Sequence, residues 1–427
     1  MFFVVFFVCL FEFQLRLQST LFQTFEDQRV SVQREFALCI LICFCAFAFF
    51  SFGLNDLPLI LLLFIAAAVY FAAPVSSRIT DAIPLFAGAT LGKAATTILV
   101  TREHERKSEV RIFLMGLVFM LAFASWWHVR VPGNFYTGPR WMGLWNHPND
   151  YGMLMGVGLL IAVGLVAGRR LNEGRGHRWS SIALLIAAGI MAVGLVSSYS
   201  RGAWLGTVIG LLYLAKGYRV KTRRYLFPVL FVVTTVIWLC WNTVDSASWR
   251  IKRLDFSRGS VTHRLAAWRA GFQIMRDHPL GVGWDNAVET YRKAYSPPSP
   301  NAELAITTND YLMLGTQLGW LALICFAGHV ALGFGNRANQ FLTLRFSRRS
   351  GGKEESAANY GENVVPSRFA LDTTKVACRA GAIVLLVGFW FDGGLFRFAT
   401  GPIFWILLAL GNLHHPWKPT DASNGRT

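Results

Sequence analysis

The segment MLMGVGLLIAVGLVAG, residues 153–168, decides the fold class. It carries no charged side chain, and two arginines follow it at once. A helix that crosses a bilayer needs about 20 mainly apolar residues. Similar apolar blocks recur along the chain, at 37–53, 57–73, 112–127, 182–197, 205–214, 225–241, 312–334, 380–391 and 402–413. The pattern predicts an all-α, polytopic membrane protein with about eleven or twelve transmembrane helices.

The overall composition agrees with this prediction. The 427 residues are 54% hydrophobic and only 15% charged, whereas a soluble protein carries roughly a quarter charged residues. The formal net charge of +17 raises the possibility of nucleic-acid binding. Most of the basic residues, however, lie in short loops between apolar blocks, where the positive-inside bias accounts for them. We therefore predict membrane lipids, and no nucleic acid, as partners.

The basic loops also give an orientation. Lysine and arginine concentrate in every second connection, at 101–111, 169–178, 216–224 and 336–379. These connections are predicted to be cytoplasmic. The intervening loops are predicted to be exoplasmic, namely 129–150, 198–202, 242–310 and 392–400. The seven cysteines lie in or beside apolar segments, so neither a disulfide framework nor a metal site is indicated, and no cofactor is expected.

Four parts follow from these boundaries. Residues 1–110 hold N-terminal transmembrane helices, and residues 111–335 form a core that includes the exoplasmic loop 242–310. Residues 336–379 are predicted to be a polar cytoplasmic connector, and residues 380–427 hold the last helices and a tail.

One amphipathic helix is predicted in the long exoplasmic loop. Ser260 is a suitable N-cap, and Asp277-His278-Pro279 ends the pattern. Between them, apolar residues recur at spacings of four and three, at positions 261, 265, 268, 272 and 275. This stripe, bordered by arginines, predicts a helix that lies along the membrane surface with its apolar face towards lipid.

Arginine is the informative residue type on the exoplasmic side, because a guanidinium group stays charged and grips phosphate oxygens in a bidentate fork. Arg201 stands alone in SSYSRGAWLG, Arg140 lies in GPRWMGLWNHPNDYG, and Arg264 lies on the loop helix. Each also has a simpler interpretation. Arg201 could reach to the membrane interface, Arg140 could lie in an ordinary turn, and Arg264 could anchor the helix to lipid headgroups.

Three further features remain ambiguous from the sequence. Asn309 and Asp310 stand where the long loop re-enters the membrane, and a helix N-cap is the simplest explanation for them. Lys93 lies inside an apolar stretch, so it is either a functional intramembrane charge or an interfacial one. Among the exoplasmic histidines, a structural role is more probable than catalysis for any single one, His147 included.

Five short motifs follow one another in the core. They are R-x-x-G followed by PN (140–149), SRGAWLG (200–206), R-x-x-x-W-x-x-G (264–271), HPLGVG (278–283) and NDYL followed by LG (309–319). Together they resemble the bacterial O-antigen ligase and O-antigen polymerase family. The resemblance implies a C-type membrane glycosyltransferase fold, located in the bacterial inner membrane with its active face towards the periplasm.

The same resemblance implies a chemistry. An undecaprenyl-diphosphate-linked glycan is the expected donor, and the expected acceptor is a lipid A core, another lipid-linked glycan or a protein hydroxyl group. Arg201 and Arg264 are expected to hold the diphosphate, with help from Arg140, in a metal-independent inverting transfer. Preorganised arginines can stabilise the charge that develops on the leaving diphosphate.

The chain departs from the family at one position. Members typically have a histidine directly before the Asn of the last motif, and this chain has Thr308. A threonine hydroxyl group is not a base near neutral pH. Asp310 is the first candidate to replace it, with Asn309 beside it, and Glu303, Asp285 and His278 are alternatives. An O-antigen or exopolysaccharide polymerase, a lipid-linked glycan transporter and a non-catalytic member are the competing functions, although repeat symmetry typical of transporters is not apparent.

Overall fold

The computed structural model describes residues 56–72, 82–101, 106–130, 140–145, 147–172, 178–217, 260–295, 305–335 and 366–412. These residues form eleven helices. In chain order they are α1 (Leu57–Ala72), α2 (Ala82–Thr101), α3 (Arg106–Arg130), α4 (Pro148–Asn172), α5 (Arg178–Ser197), α6 (Arg201–Gly217), α7 (Ser260–Asp277), α8 (Ala287–Ala294), α9 (Asp310–Phe334), α10 (Pro366–Phe391) and α11 (Gly401–Gly411).

Five of the described helices are long and apolar enough to cross a membrane. The segments are Glu109–Trp126, Pro148–Gly168, Trp179–Ser197, Asp310–Phe334 and Thr373–Phe391. The predicted all-α, polytopic membrane architecture is therefore confirmed. The predicted total of eleven or twelve spans stays a prediction, because the apolar blocks 37–53 and 225–241 lie outside the described residues.

Helix α4 is the centre of the bundle. Its span is buried along its whole length, because α5, α6 and α10 surround it. The apolar segment 153–168 thus faces protein on every side, which explains why its sequence has no polar face.

Small residues let α6 approach α10 closely. A side chain added at Gly206 would meet the carbonyl oxygen of Val384 at 2.7 Å, and one at Gly210 would meet that of Ala380 at 2.9 Å. Glycines four residues apart are the usual device for close contact between membrane helices. This packing fixes the N-terminus of α6, where Arg201 lies, against the C-terminal end of α10.

Helix α9 is broken at Gly319, whose φ of 86° and ψ of 175° are not helical. The turn between α7 and α8 fills the break: Val282 N–H donates to the Thr316 carbonyl at 2.8 Å, and Gly283 N–H donates to the Gln317 carbonyl at 3.0 Å. In return, Trp320 N–H donates to the Pro279 carbonyl at 3.1 Å. Backbone groups freed by a break inside a membrane helix need such partners. The HPLGVG and NDYL…LG motifs therefore interlock.

The loop helix forms as predicted, from Ser260 to Asp277. Leu265 and Phe272 are 46% and 47% exposed, whereas Ala267 and Ile274 are fully buried. Ala267 and Ile274 face protein because α7 packs against α9 and α8, whereas the orientation of the apolar stripe towards lipid stays a prediction.

Other boundary predictions meet the structure only in part. Helix α10 begins at Pro366, inside the segment predicted to be a polar connector. The rest of that connector and the N-terminal segment 1–55 lie outside the described residues.

Candidate active site

One cavity brings together the three arginines singled out from the sequence. Arg140, Arg201 and Arg264 all line a space of about 440 Å³, which we call the arginine cavity. It lies at the end of the bundle where α4 and α6 begin and α10 ends. Its other lining residues are Asn149, Tyr199, Ser200, Gly202, Leu205, Leu265, Trp268, Phe391 and Asp392.

Arg140 is anchored by the backbone and by α4. Its Nε donates to the Ser198 carbonyl at 3.0 Å, and its Nη2 donates to Asn149 Oδ1. The neighbouring Trp141 N–H donates to the Ser197 carbonyl at 2.9 Å, which ties this segment to the end of α5. The guanidinium group is therefore held in one orientation at the cavity wall.

Arg201 is the first residue of α6 and is exposed. Its side chain makes no hydrogen bond or ion pair with any residue that the structure describes. The helix start is fixed instead by Ser200, whose Oγ accepts from Ala203 N–H at 3.2 Å as an N-cap. Among the described residues, Arg201 is thus an uncompensated cation at a rigid helix N-terminus.

Arg264 reaches the cavity from α7. Its Nη2 lies 3.6 Å from Asp392 Oδ1. One turn further along the helix, the ring of Trp268 packs edge-on against Trp390 at 5.4 Å between centroids. This aromatic contact holds α7 against the end of α10 and sets the position of Arg264.

Asp392 links the arginine cavity to α6. Its Oδ2 accepts from Ser200 Oγ at 2.9 Å, while Oδ1 faces Arg264. The side chain is only 6% exposed. With three arginines and one aspartate, the lining residues carry a formal excess of two positive charges.

The predicted catalytic pair lies beside a different space. Asp310, together with Asp285, Thr307, Gln317 and Arg397, lines a second cavity of about 240 Å³. Its remaining lining residues are Ala287, Val288, Ile306, Met313 and Phe396. Asp310 Oδ2 accepts from the backbone N–H of Leu395 at 2.6 Å.

Asn309 serves as the N-cap of α9. Its Oδ1 accepts from the backbone N–H groups of Tyr311 and Leu312, both at 3.1 Å. Thr308, at the position of the family histidine, donates its hydroxyl group to the Ala305 carbonyl at 2.8 Å. Glu303, an alternative base, lies outside the described residues, and His278 is exposed and lines neither cavity.

A short segment forms a wall shared by the two cavities. Phe391 and Asp392 line the arginine cavity, and Phe396 and Arg397 line the second cavity. Arg397 Nη1 pairs with Asp150 Oδ1 at 2.7 Å, which fixes the segment to the start of α4. Burial alone would lower the pKa of Arg397, but the carboxylates of Asp150, Asp310 and Asp392 outweigh it and raise the pKa.

A comparison with known families identifies this part of the molecule. The family model described as O-antigen ligase matches residues 186–327. The chain carries an O-antigen ligase domain. No curated protein matches the chain. The domain supports a role in surface polysaccharide biosynthesis of the O-antigen ligase or polymerase type, and the resemblance inferred from the five motifs is confirmed.

The O-antigen ligase domain includes only part of the site. Arg201, Arg264, Asn309 and Asp310 lie within the matched residues, and Arg140 precedes them. The segment around Asp392 lies beyond them and was not predicted from the sequence. A carboxylate next to two glycines in a short loop predicted to be exoplasmic, followed by Arg397, was the available signal.

Two other candidates, Lys93 and His147, lie outside both cavities. Lys93 Nζ pairs with Asp56 Oδ2 at 2.5 Å, so this charge is compensated within the helix bundle. His147 directly precedes α4, and its Nδ1 accepts from Asn149 N–H at 3.2 Å. Burial, and then the charges of Arg397 and Arg140, lower the pKa of His147 to about 4, which makes it a weak base.

Proposed function

We propose that this protein transfers a glycan from an undecaprenyl-diphosphate carrier to an acceptor on the periplasmic face of the bacterial inner membrane. The observation that carries the proposal is the convergence of Arg140, Arg201 and Arg264 on one cavity. A lipid A core is the acceptor we favour. Another lipid-linked glycan would make the protein a polymerase with the same donor chemistry.

The charge of the arginine cavity suits a diphosphate. The lining residues have an excess of two positive charges, and the N-terminus of α6 adds the positive end of a helix dipole at Arg201 and Gly202. Arg201 is available for a ligand, whereas Arg140 and Arg264 are already oriented. Such preorganised cations stabilise a leaving diphosphate without a metal ion.

The apolar side of the cavity suits a lipid carrier rather than a soluble nucleotide sugar. Leu205 and Leu265 line the cavity and are 46% exposed each. Further along α6, Val208 and Leu212 are also exposed. An isoprenoid chain that leaves the diphosphate has an apolar helix face to follow into the bilayer.

The proposed reaction is an inverting displacement. The acceptor oxygen forms a bond to the anomeric carbon as the bond from that carbon to the diphosphate oxygen breaks. The electron pair leaves with the diphosphate, whose added charge Arg201 and Arg264 stabilise, with Arg140 at the wall. Asp310 takes the proton of the acceptor hydroxyl group, and Asn309, by capping α9, positions Asp310.

The test is transfer by purified variants in nanodiscs, with a lipid diphosphate-linked glycan and lipid A core as substrates. We expect Arg201→Ala, Arg264→Ala and Asp310→Asn each to reduce transfer by roughly 100-fold or more, the usual cost of removing a group that stabilises transition-state charge or moves a proton. Arg269→Ala is the matched control, because Arg269 is exposed on the same helix as Arg264 and lines neither cavity.

The proposal requires specific results for the control and for the folding of all variants. The control has to retain transfer, and all four proteins have to show the same thermal unfolding midpoint. If Arg201→Ala and Arg264→Ala both keep most of the activity, the arginine cavity does not hold the diphosphate. Replacing lipid A core with a second lipid-linked glycan distinguishes a ligase from a polymerase.

A further inference from the structure

The second cavity has a chemistry of its own. Two carboxylates, Asp285 and Asp310, and one guanidinium group, Arg397, give its lining a formal charge of minus one. Thr307 adds a hydroxyl group and Gln317 an amide. A phosphate group would be repelled by this net charge, whereas hydroxyl groups would find several acceptors and donors.

Gln317 points to a missing ligand. Its side chain is only 2% exposed, and its Oε1 has no hydrogen-bond partner among the residues that the structure describes. A buried polar atom without a partner is costly and therefore rare in folded proteins. The backbone of Gln317 is fixed by Gly283 N–H at 3.0 Å, so the residue itself stays at the cavity wall. A ligand O–H donor would satisfy it.

The volume of the second cavity and its apolar wall restrict the class of ligand that it can bind. The cavity measures about 240 Å³, just below the roughly 300–1,000 Å³ of sites for drug-sized ligands. Phe396 lines one side, and its ring is held edge-on by Trp284 at 6.1 Å. The negative face of an aromatic ring attracts the C–H groups of a sugar. One neutral sugar ring fits these features better than a chain or a charged lipid headgroup.

We infer that the second cavity binds the terminal neutral sugar of the acceptor. The identification of this sugar as the acceptor rests on the proposed glycan transfer. The binding of a neutral sugar to the cavity does not. The segment from Phe391 to Arg397 lines both cavities, so the two ligands lie on either side of one short loop. A sugar beside Gln317 also has Asp310 at the same wall, where the proposed base is needed.

Binding is tested first, by saturation-transfer-difference NMR in nanodiscs, which contain no sugar detergent. The probes are the methyl glycosides of glucose, galactose and N-acetylglucosamine, and glucose 6-phosphate. We expect at least one neutral glycoside to give a signal that falls at least tenfold in Gln317→Leu and Val288→Phe. The second variant fills the cavity from α8. Gln273→Leu, the same change at an exposed position of α7, should keep the signal.

The arginine variants cross-check the location. Arg264→Ala should keep the neutral-glycoside signal and lose that of glucose 6-phosphate, whereas Gln317→Leu should do the reverse. A retained phosphate signal also shows that Gln317→Leu is folded. The inference is overturned if no neutral glycoside binds, if the signal survives in both cavity variants, or if it depends on Arg264 instead.

Transfer kinetics test the role of the bound sugar. In Gln317→Leu, the KM for the acceptor should rise at least tenfold while the KM for the lipid-linked donor stays unchanged. An unchanged acceptor KM, or an equal rise in both KM values, would contradict an acceptor site. Loss of transfer in Arg201→Ala bears on the diphosphate proposal alone, so the two failures are distinguishable.

Discussion

The carboxylate of Asp392 receives a hydrogen bond from Ser200 on one oxygen and faces Arg264 with the other. At the scale of single residues it therefore joins the start of α6 to α7. Because Asp392 is buried, its charge is weakly screened by water. It both offsets the repulsion among the three arginines and orients one of them.

Asp392→Asn removes the negative charge of this side chain and keeps its shape. The amide oxygen can still accept from Ser200, but the attraction for Arg264 is lost. Without the charge that orients Arg264, the developing charge on the diphosphate is less well stabilised, so we expect a roughly 10- to 100-fold loss in kcat/KM for the donor, which corresponds to about 1.4–2.7 kcal/mol. The measurement is steady-state transfer at varied donor concentration. An unchanged donor KM combined with loss of the acidic limb of the pH–rate profile would instead make Asp392 the base.

His147 gives a pH-dependent prediction. Its folded pKa of about 4 lies below the ordinary histidine value of 6.5, so between these values the unfolded chain binds a proton that the folded chain does not. The stability contributed by neutral His147 is complete above pH 6.5 and is lost as the pH falls towards 4. His147→Asn keeps an acceptor for Asn149 N–H and removes the titration.

The measurement for His147 is the thermal unfolding midpoint in detergent at a series of pH values from 7 to 4. We expect the wild-type midpoint to fall more steeply than that of His147→Asn, since other acid-sensitive groups are common to both proteins. Parallel curves would show that His147 is not held neutral by the fold.

At the scale of elements, the break in α9 is the feature with the clearest local cause. A side chain added at Gly319 would meet the Pro279 carbonyl at 2.4 Å, and one at Gly281 would meet the Gln317 carbonyl at 2.3 Å. Both glycines also have a φ of 86°. The two glycines therefore allow the turn after α7 to dock into α9, close to both Gln317 and Asp310.

Gly319→Ala should disrupt this docking. A non-glycine residue at such a φ costs on the order of 1–3 kcal/mol, and the steric clash adds to it. Gly189→Ala is the control, because Gly189 lies in α5 with open space where the new methyl group would be, and alanine in a helix gains about 0.5–1 kcal/mol. The thermal midpoint should fall for the first variant only. Equal midpoints would refute the interlock.

How far the sequence predicts these elements depends on whether the signal is local. Both ends of α7 were predictable because a serine cap and a following proline act within a few residues. Its buried face was not, because α8 and α9 decide it. Asp392 and Arg397 were missed for the same reason: their partners Ser200 and Asp150 lie 192 and 247 residues away.

At the scale of the whole molecule, the two ends of the bundle differ. Both cavities lie at one end, which the basic loops predict to be periplasmic. The sequence predicted only that Arg140, Arg201 and Arg264 lie on the same side of the membrane, and not that they line one cavity. The position of a residue along a helix indicates which end of the helix it occupies, but not which neighbouring residues it contacts.

Orientation can be tested with single cysteines in a background where the seven native cysteines are replaced. Gln273 lies on α7, Lys216 lies at the far end of α6 from Arg201, and both are exposed. A helix of the length of α6 is about 25 Å long. In intact cells with a permeable outer membrane, a maleimide that cannot cross the inner membrane should label Gln273→Cys. It should label Lys216→Cys only after the inner membrane is permeabilised. The opposite pattern would put both cavities in the cytoplasm, where a periplasmic glycan could not reach them, and would contradict the proposed transfer while leaving the helix packing unchanged.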